Sequence, residues 1–240
     1  NGFERKRNFM IQISNLSKKY GETVVFSDLN YTFENACIYG LVGRNGAGKT
    51  TLLNILSNYD KNYTGVISID RKKMNKVDYL DMPVAYAMDQ PSFFNELTIY
   101  ENLLLIASSR KIKKQEAFDK IERILDGLGL KKYENYSPLE LSKGTMQRLN
   151  NACAMIQEEK ITIFDEPFSG LDPVQMKLLE NVIVEFHKKE KGIYIISSHD
   201  IECLQNVCDK CLLLHNGQIR EINMEEVDRE EIAKILSEGE

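Results

Sequence analysis

One stretch of the sequence constrains the fold more than any other, and it reads Gly43-Arg44-Asn45-Gly46-Ala47-Gly48-Lys49-Thr50. It matches the pattern G-x-x-x-x-G-K-[ST] of a phosphate-binding loop, whose glycines let the backbone curl around phosphate groups. The apolar residues 37–42 before it predict a buried strand, and residues 50–56 after it predict a helix. A strand, a turn and a helix N-terminus together direct backbone N–H groups at one point, which indicates a nucleoside triphosphate site.

The loop offers both backbone and side-chain ligands for such a nucleotide. Lys49 is expected to reach the β- and γ-phosphates, and the hydroxyl of Thr50 is expected to bind Mg²⁺. The predicted nucleotide-binding residues of this segment are Gly43, Arg44, Asn45, Gly46, Ala47, Gly48, Lys49, Thr50 and Thr51.

Composition excludes some classes of protein. The chain has 240 residues, 42% of them hydrophobic and 28% charged, as in an ordinary globular protein with its own core. Its net charge of −5 gives no reason to expect nucleic acid as the main partner. No apolar run approaches the roughly 18 residues of a membrane-spanning helix. We therefore expect a chain that does not cross a membrane, although it could dock on a protein that does.

The order of strand-type and helix-type segments predicts the fold class. Strands are expected at 10–16, 23–26, 29–33, 37–42, 64–70, 83–88, 161–164, 193–197 and 211–214, with a turn at 18–21. The early strands alternate as half-buried antiparallel strands do, whereas helices separate the later ones, as in a parallel sheet. We expect an α/β fold: a P-loop NTPase core with a mainly parallel sheet, an N-terminal antiparallel β-subdomain, and an all-helical inserted subdomain at about residues 91–155.

Several helix ends are marked in the sequence. Thr98 with Glu101 three residues later forms a capping-box pattern, and Ser142 is a second N-cap. Asp172 followed by Pro173 marks the start of a later helix. A further helix is expected at 114–128, with an apolar stripe that belongs to the core: Phe118, Ile121, Ile124, Leu125 and Leu128.

The two ends of the chain differ in character from its middle. Residues 1–9 are polar and basic, and we expect Met10 to be the natural start, which would make residues 1–9 an extraneous or disordered arm. Residues 10–240 are expected to form one domain. Its last part, at about 221–240, reads as an acidic helical tail.

Two adjacent carboxylates follow an apolar strand late in the chain. Asp165 and Glu166 come directly after Ile161–Phe164. Carboxylates at the end of a buried strand are costly without a partner, so a metal or water role is favoured over surface acids. Asp165 would hold Mg²⁺ together with Thr50, and Glu166 would polarise the water that attacks the γ-phosphate.

Further motifs resemble the ATP-binding subunit of ABC transporters. Residues 141–145, Leu-Ser-Lys-Gly-Thr, followed by Gln147 and Arg148, are similar to the signature sequence of that family, which is ideally L-S-G-G-Q. Gln90 after a strand is similar to the glutamine of the Q-loop, and residues 169–172 are similar to the D-loop. His199 falls at the position of the switch histidine, and Tyr20 at that of an aromatic residue that stacks on adenine. Together with the phosphate-binding loop, these motifs cover about residues 20–217.

The resemblance implies an ATPase that works in pairs. In the family, each ATP lies between the phosphate-binding loop of one domain and the signature helix of another, in a homodimer or a heterodimer. It implies that the signature residues Ser142, Lys143, Gly144 and Thr145 face the ATP of the partner chain and that Asp172 lies in the dimer loop. It also implies that Lys49, Gln90, Glu166 and His199 are catalytic and that Thr50, Gln90 and Asp165 bind Mg²⁺.

The expected function is therefore an ATP-hydrolysing subunit, with ATP and Mg²⁺ as cofactors, that drives a separate membrane-spanning transporter subunit. Such a protein would lie on the cytoplasmic face of the cell membrane, as a peripheral subunit. An alternative is a soluble ATPase of the same type that acts on ribosomes or nucleic acid. Those proteins usually carry a second such domain or a long coiled coil, and this sequence has neither. A nucleotide sensor without hydrolysis is disfavoured by Glu166 and His199.

Two features leave alternatives open. Lys143 and Thr145 depart from the ideal signature, which puts affinity or nucleotide selectivity in doubt although Ser142 and Gly144 remain. Cys208, Cys211 and nearby residues imitate a set of zinc ligands. Because Cys208 ends an apolar helix and Cys211 begins a strand, buried reduced thiols are the preferred interpretation.

Overall fold

Two sheets, six α-helices and three short 3₁₀ helices make up the part of the protein that the computed structural model describes, residues 9–77 and 81–223. The strands are β1 (Met10–Tyr20), β2 (Thr23–Glu34), β3 (Cys37–Val42), β4 (Thr64–Ile69), β5 (Lys72–Lys73), β6 (Val84–Ala87), β7 (Ile161–Phe164), β8 (Ile193–Ser198), β9 (Lys210–His215) and β10 (Gln218–Ile222). The helices are α1 (Lys49–Leu56), α2 (Ile99–Ser109), α3 (Lys114–Gly127), α4 (Lys143–Met155), α5 (Pro173–Glu190) and α6 (Glu202–Gln205).

The larger sheet has the strand order β10-β9-β3-β8-β7-β6. Its pairs from β6 to β9 are parallel, and β10 adds an antiparallel edge to β9. The second sheet, with the order β2-β1-β4-β5, is antiparallel. The expected α/β core with an antiparallel sheet beside it is therefore confirmed, and α2, α3 and α4 all lie between β6 and β7 in the chain.

The core lies on both faces of the larger sheet, because successive side chains of a strand point to opposite sides. On β3, Ile38 and Val42 belong to an apolar cluster with α2–α5. Tyr39 and Leu41 belong to a second cluster, which contains α1 and the inner face of the antiparallel sheet. The carboxyl ends of the parallel strands therefore emerge at one edge, between two packed layers.

The helix ends follow the predicted caps. The side chain of Thr98 accepts a hydrogen bond from the Glu101 N–H, and the Glu101 carboxylate accepts one from the Thr98 N–H at 2.8 Å, which completes a capping box. Ser142 caps α4 and Asp172 caps α5, with Pro173 as the first helical residue. The apolar stripe of α3 is buried at Ile121, Ile124 and Leu125, and Leu128 just beyond it is buried too, whereas Phe118 of the predicted stripe is only half-buried.

The structure corrects the predicted elements in several places. β1 continues to Tyr20, so the turn expected at 18–21 narrows to Gly21 and Glu22. The two strands expected at 23–26 and 29–33 are the single strand β2, because Asp28 takes a left-handed conformation with φ of 50° that carries the pairing with β1 through an irregular register. β10 was not predicted, and it includes Glu221 and Ile222 of the expected helical tail.

The remainder of that tail, from residue 224, and residues 1–8 of the expected arm lie outside the described residues. Within the described residues, no helix is both long enough and apolar enough to span a membrane.

Candidate functional site

The phosphate-binding loop forms the floor of a cavity of about 530 Å³ at the carboxyl edge of the parallel sheet. Gly46 and Gly48 have φ of 80° and 100°, in the left-handed region that favours glycine. A Cβ on Gly48 would also lie 2.6 Å from Cγ1 of Val25, so no larger residue fits there. The loop residues that line the cavity are Arg44, Asn45, Gly46, Gly48, Lys49, Thr50 and Thr51.

Two predicted loop residues, Gly43 and Ala47, support the loop instead of lining the cavity. A Cβ on Gly43 would lie 2.8 Å from the carbonyl oxygen of Leu214 in β9, so glycine permits this close approach. The Ala47 N–H donates to the Arg44 carbonyl oxygen at 3.1 Å, which closes the turn.

Lys49 is buried at the base of the cavity. Its Nζ donates to the carbonyl oxygen of Gly43 at 2.7 Å, and it lies 3.4 Å from Oε1 of Glu166. Only 6% of Lys49 is exposed, so its charge acts where water screens it little. The ammonium group is therefore held between the loop backbone and the carboxylate at the end of β7.

Asp165 is the deepest carboxylate of the site. It is 1% exposed, and its Oδ1 accepts a hydrogen bond from Oγ of Ser197 at 2.6 Å. Burial raises the pKa of Asp165, while hydrogen bonds from Ser197 and Thr50 counteract that rise. Thr50 and Asp165 are thus adjacent, as the sequence predicted, and they present a hydroxyl and a carboxylate oxygen to one place. The Tyr86 hydroxyl lies 3.4 Å from Oδ2 of Asp165 and 3.0 Å from Oδ1 of Asn54, and its one proton is shared between these acceptors.

Glu166 contacts Lys49, Ser197 and His199, three other residues of the site. Its backbone, with φ of 49°, is turned so that its N–H donates to Ser197 Oγ at 2.9 Å. Its Oε2 lies 3.0 Å from Nδ1 of His199, and its Oε1 faces Lys49. The carbonyl oxygen of Glu166 accepts a hydrogen bond from Nε2 of Gln147 at 3.2 Å. This carboxylate is therefore fixed at the mouth of the phosphate-binding loop.

The structure places Asp89 at the cavity, next in the chain to Gln90, for which the sequence analysis predicted a role there. Asp89 lines the cavity, and its charge contributes to raising the pKa of Asp165. Gln90 is exposed and is not among the described residues that line the cavity. Sheet register explains the difference. Ala87 of β6 pairs with Phe164 of β7, so Asp89 follows its strand by the same two residues as Glu166.

Tyr20 lines the same cavity, and Lys18 lies against one face of its ring. Nζ of Lys18 lies 4.4 Å from the ring centroid, and the Tyr20 hydroxyl donates to Oδ2 of Asp60 at 3.1 Å. Lys18 and Asp60 also form an ion pair at 2.7 Å. Burial acts to raise the pKa of Asp60, but hydrogen bonds from Lys18, Asn62 and Tyr20 bring it below its usual value. The sequence did not predict Lys18 and Asp60 as part of the site.

The predicted signature residues do not belong to this cavity within one chain. Lys143 has its Cδ and Cε close to Gly170, and Gly144 packs against the Gly170 carbonyl oxygen. Ser142 is exposed, whereas Thr145 is 3% exposed and bonds Ser142 and Arg148 through its hydroxyl. The side chain of Asp172 accepts from the Gln175 N–H at 2.8 Å. These residues form a second surface at the start of α4 and α5.

The cysteines considered as zinc ligands are packed against apolar groups. A Cβ on Gly40 would meet Sγ of Cys208 and Cδ1 of Leu204, both at 3.0 Å. Burial raises the pKa of the Cys211 thiol to about 11, and that of Cys208 is raised for the same reason. Within residues 9–77 and 81–223, no group of three or more histidine, cysteine or acidic side chains is arranged to hold a metal ion.

Known proteins similar to this chain include several transport proteins. An uncharacterised ABC transporter ATP-binding protein of Methanocaldococcus jannaschii is 32% identical, over 87% of this chain and 75% of its own length. The bacitracin transport ATP-binding protein BcrA of Enterococcus faecalis is 30% identical, over 92% of this chain and 71% of its own. A tungstate uptake system ATP-binding protein of Peptoclostridium acidaminophilum is 30% identical, over 88% of this chain and 97% of its own.

Solved structures and a family profile agree with these relatives. A structure described as the ATP-binding subunit of an ABC transporter matches with a TM-score of 0.82 and 27% identity, with 92% of each chain covered. The sequence profile described as ABC transporter matches residues 26–169. Since the matched span includes the phosphate-binding loop, Asp165 and Glu166, the chain belongs to the ABC transporter family, as one of its ATP-binding and ATP-hydrolysing subunits.

Proposed function

We propose that residues 10–240 form one ATP-binding domain, with a helical subdomain at about 91–155, that closes with a second such domain around two molecules of ATP. The observation that carries the proposal is the position of Glu166, between Lys49 and His199 at the mouth of the phosphate-binding loop. A carboxylate in that place can accept a proton from water that attacks a γ-phosphate bound by the loop.

Different residues of the cavity bind different parts of the nucleotide. Backbone N–H groups of the loop hold the phosphates, and Lys49 leaves the Gly43 carbonyl oxygen to donate to the β- and γ-phosphate oxygens. The ring of Tyr20 stacks on the base with the face that Lys18 does not cover. His199 keeps the Glu166 carboxylate oriented through the 3.0 Å contact with its Nδ1.

The oxygen donors beside the loop suit Mg²⁺. Mg²⁺ is usually bound by one or two carboxylates or hydroxyls together with phosphate oxygens and water. Thr50 and the buried Asp165 provide that set, and Ser197 fixes the Asp165 carboxylate at 2.6 Å. When bound, the ion neutralises charge on the transferred phosphoryl group. Asp89, which precedes Gln90 in the chain, lines the cavity and adds a second carboxylate near Asp165.

The surface at the start of α4 completes the site in a second chain. In this proposal Ser142 and Gly144 of one chain donate to the γ-phosphate held by the other, and Asp172 lies at the contact between them. Lys143 is exposed beside Ser142 and adds positive charge there. Because the γ-phosphate bridges both chains, ATP favours the closed pair and hydrolysis releases it. The pair is either a homodimer or a heterodimer with a related subunit.

A groove of about 320 Å³ between β6 and the helical insert receives the membrane-spanning subunit. Aromatic and apolar side chains line it, including the exposed Tyr59 and Phe94, together with Phe93, Met88 and Ile106. Met88 lies next to Asp89 in the chain, so the groove adjoins the nucleotide cavity. Closure of the two ATP-binding chains thereby acts on the membrane-spanning subunit, at the cytoplasmic face of the membrane, and drives transport. The relatives named for bacitracin transport and tungstate uptake support a transport role.

The substitution Glu166→Gln tests the proposal. It keeps the size of the side chain and the loop donors but removes the base, so turnover of Mg-ATP should fall at least 100-fold. The ATP-bound pair should then accumulate, which static light scattering with and without ATP detects. Glu185→Gln, the same change on the exposed side of α5, is the matched control and should behave as the parent. Turnover within tenfold of the parent would refute the assignment of Glu166.

A further inference from the structure

The direction of the hydrogen bonds around Thr145 determines where the Ser142 hydroxyl can donate its proton. Arg148 is buried and always a donor, since its guanidinium group has no acceptor. Its Nη1 donates to the carbonyl oxygen of Leu128 at 2.7 Å, and its Nη2 donates to Oγ1 of Thr145 at 3.2 Å. Thr145 Oγ1 is therefore an acceptor on the side that faces Arg148.

One acceptor then remains for the proton of the Thr145 hydroxyl. Ser142 Oγ lies 2.9 Å from Thr145 Oγ1, and no other hydrogen-bond partner of Thr145 Oγ1 besides Ser142 and Arg148 occurs within the described part of the chain. Because Thr145 is 3% exposed, its proton cannot turn to bulk water. A buried hydroxyl without an acceptor is costly, so the Thr145 hydroxyl donates to Ser142 Oγ.

Ser142 Oγ thereby accepts two hydrogen bonds from the same residue. Besides the hydroxyl of Thr145, the Thr145 N–H donates to it at 3.3 Å as part of the helix cap. A serine hydroxyl has two acceptor lone pairs and one proton, so both lone pairs are occupied. The proton of Ser142 must point away from α4, and Ser142 is exposed on that side.

We infer that Thr145 is a positioning residue that fixes the Ser142 hydroxyl as an outward donor to an anionic oxygen. Each donor in the series Arg148, Thr145, Ser142 polarises the next, which strengthens the last one. This inference rests on the proposed function, in which the anionic oxygen belongs to the terminal phosphate of ATP in the partner chain. It also gives Thr145, which departs from the glutamine of the family signature, a role of its own.

A double-mutant cycle in the Glu166→Gln background tests it. The measured quantity is the dissociation constant of the ATP-dependent pair, from sedimentation velocity at saturating Mg-ATP. Thr145→Val is close in shape but cannot donate, and it should weaken the pair at least tenfold. Thr145→Ser keeps the hydroxyl and should restore pairing to within about threefold of the parent. Thr32→Val, on the exposed side of β2, is the matched control for a threonine-to-valine change.

The cycle separates positioning from a merely structural effect. If Thr145 acts through Ser142, adding Thr145→Val to Ser142→Ala should cause little further loss. An equal tenfold loss in the presence and absence of the Ser142 hydroxyl would overturn the inference, as would a Thr145→Val protein that pairs like the parent. A Glu166→Gln parent that stays monomeric would refute pairing of this chain with itself, and this inference together with it. A parent that pairs, with variants that do not follow the cycle, refutes the inference alone.

Discussion

Replacement of Tyr20 by alanine should weaken nucleotide binding without disturbing the phosphate-binding loop. Tyr20 is 53% exposed and lines the cavity, so its ring is available to a base. One face of the ring is occupied by Lys18 Nζ at 4.4 Å, and the hydroxyl is held by Asp60 at 3.1 Å. The ring is thus fixed before a nucleotide arrives, and little ordering cost is added on binding.

The expected magnitude follows from this geometry. Loss of one base–aromatic stack costs about 1–3 kcal/mol, which corresponds to roughly 5- to 150-fold in the dissociation constant. Tyr20→Phe keeps the ring and the contact with Lys18 and loses only an exposed hydrogen bond, so its effect should stay below about fivefold. Because stacking discriminates poorly among bases, GTP should bind within about tenfold of ATP, a difference of about 1.4 kcal/mol.

Competition against a fluorescent ATP analogue, with Mg²⁺ at a fixed concentration, measures both effects. Tyr136→Ala removes another exposed tyrosine away from the cavity and serves as the control. Equal affinity in the parent and in Tyr20→Ala would refute the stacking role. A preference for ATP over GTP of more than 100-fold would show that groups other than the Tyr20 ring read the base.

Four further outcomes are expected. Lys49→Ala should abolish or severely weaken ATP binding in equilibrium dialysis, because it removes the buried cation beside the phosphates. Asp89→Asn should raise the Mg²⁺ concentration needed for half-maximal ATP binding by about threefold, since one negative charge near Asp165 is lost. Lys120→Ala should lower the free energy of unfolding by about 3 kcal/mol, because Glu158 and Glu190 lose their buried partner. Tm should then fall by about 6–12 °C, whereas the control Lys188→Ala should change Tm little. Elemental analysis should find no stoichiometric zinc, and Cys208→Ala should bind nucleotide as the parent does.

The parts of the site that the sequence predicted are those in which neighbouring residues act together. The loop around Lys49 and the pair Asp165-Glu166 are continuous segments, and each lies at the end of a strand whose apolar residues are evident. Their roles need only local geometry, so the spacing was sufficient. The helix caps at Thr98, Ser142 and Asp172 were predicted for the same reason, and the structure confirms each of them.

The parts that it missed depend on pairing between distant segments. Asp89 reaches the cavity because β6 and β7 are in register, with Ala87 opposite Phe164, and no single segment contains that information. Asp60 joins Lys18 and Tyr20 across 40 residues, after the end of α1. The continuation of β2 through Asp28 depends on a left-handed residue at an irregularity, which interrupts the alternation that marks a strand.

The residues that resemble the family signature, 142–145, give a case in which the structure and the family pattern lead to opposite expectations. By resemblance alone, Lys143→Gly and Thr145→Gln restore the ideal signature and should strengthen ATP-dependent pairing. Thr145, however, is 3% exposed and lies between Ser142 and Arg148, so glutamine adds two heavy atoms in a packed place. Overpacking of this kind costs about 1–3 kcal/mol, or about 2–12 °C in Tm.

We therefore expect Thr145→Gln to weaken both stability and pairing. Lys143 lies at an exposed position in the first turn of α4, so Lys143→Gly should cost at most about 1 kcal/mol of helix stability and leave pairing close to the parent. Thermal unfolding and sedimentation velocity of the two single variants in the Glu166→Gln background separate these effects. A Thr145→Gln protein that pairs more tightly than the parent would show that glutamine finds room beside Arg148 and that pairing does not need the Thr145 hydroxyl. Ser142 would then be oriented by the helix cap alone, since the backbone N–H of residue 145 still donates to it after the change to glutamine.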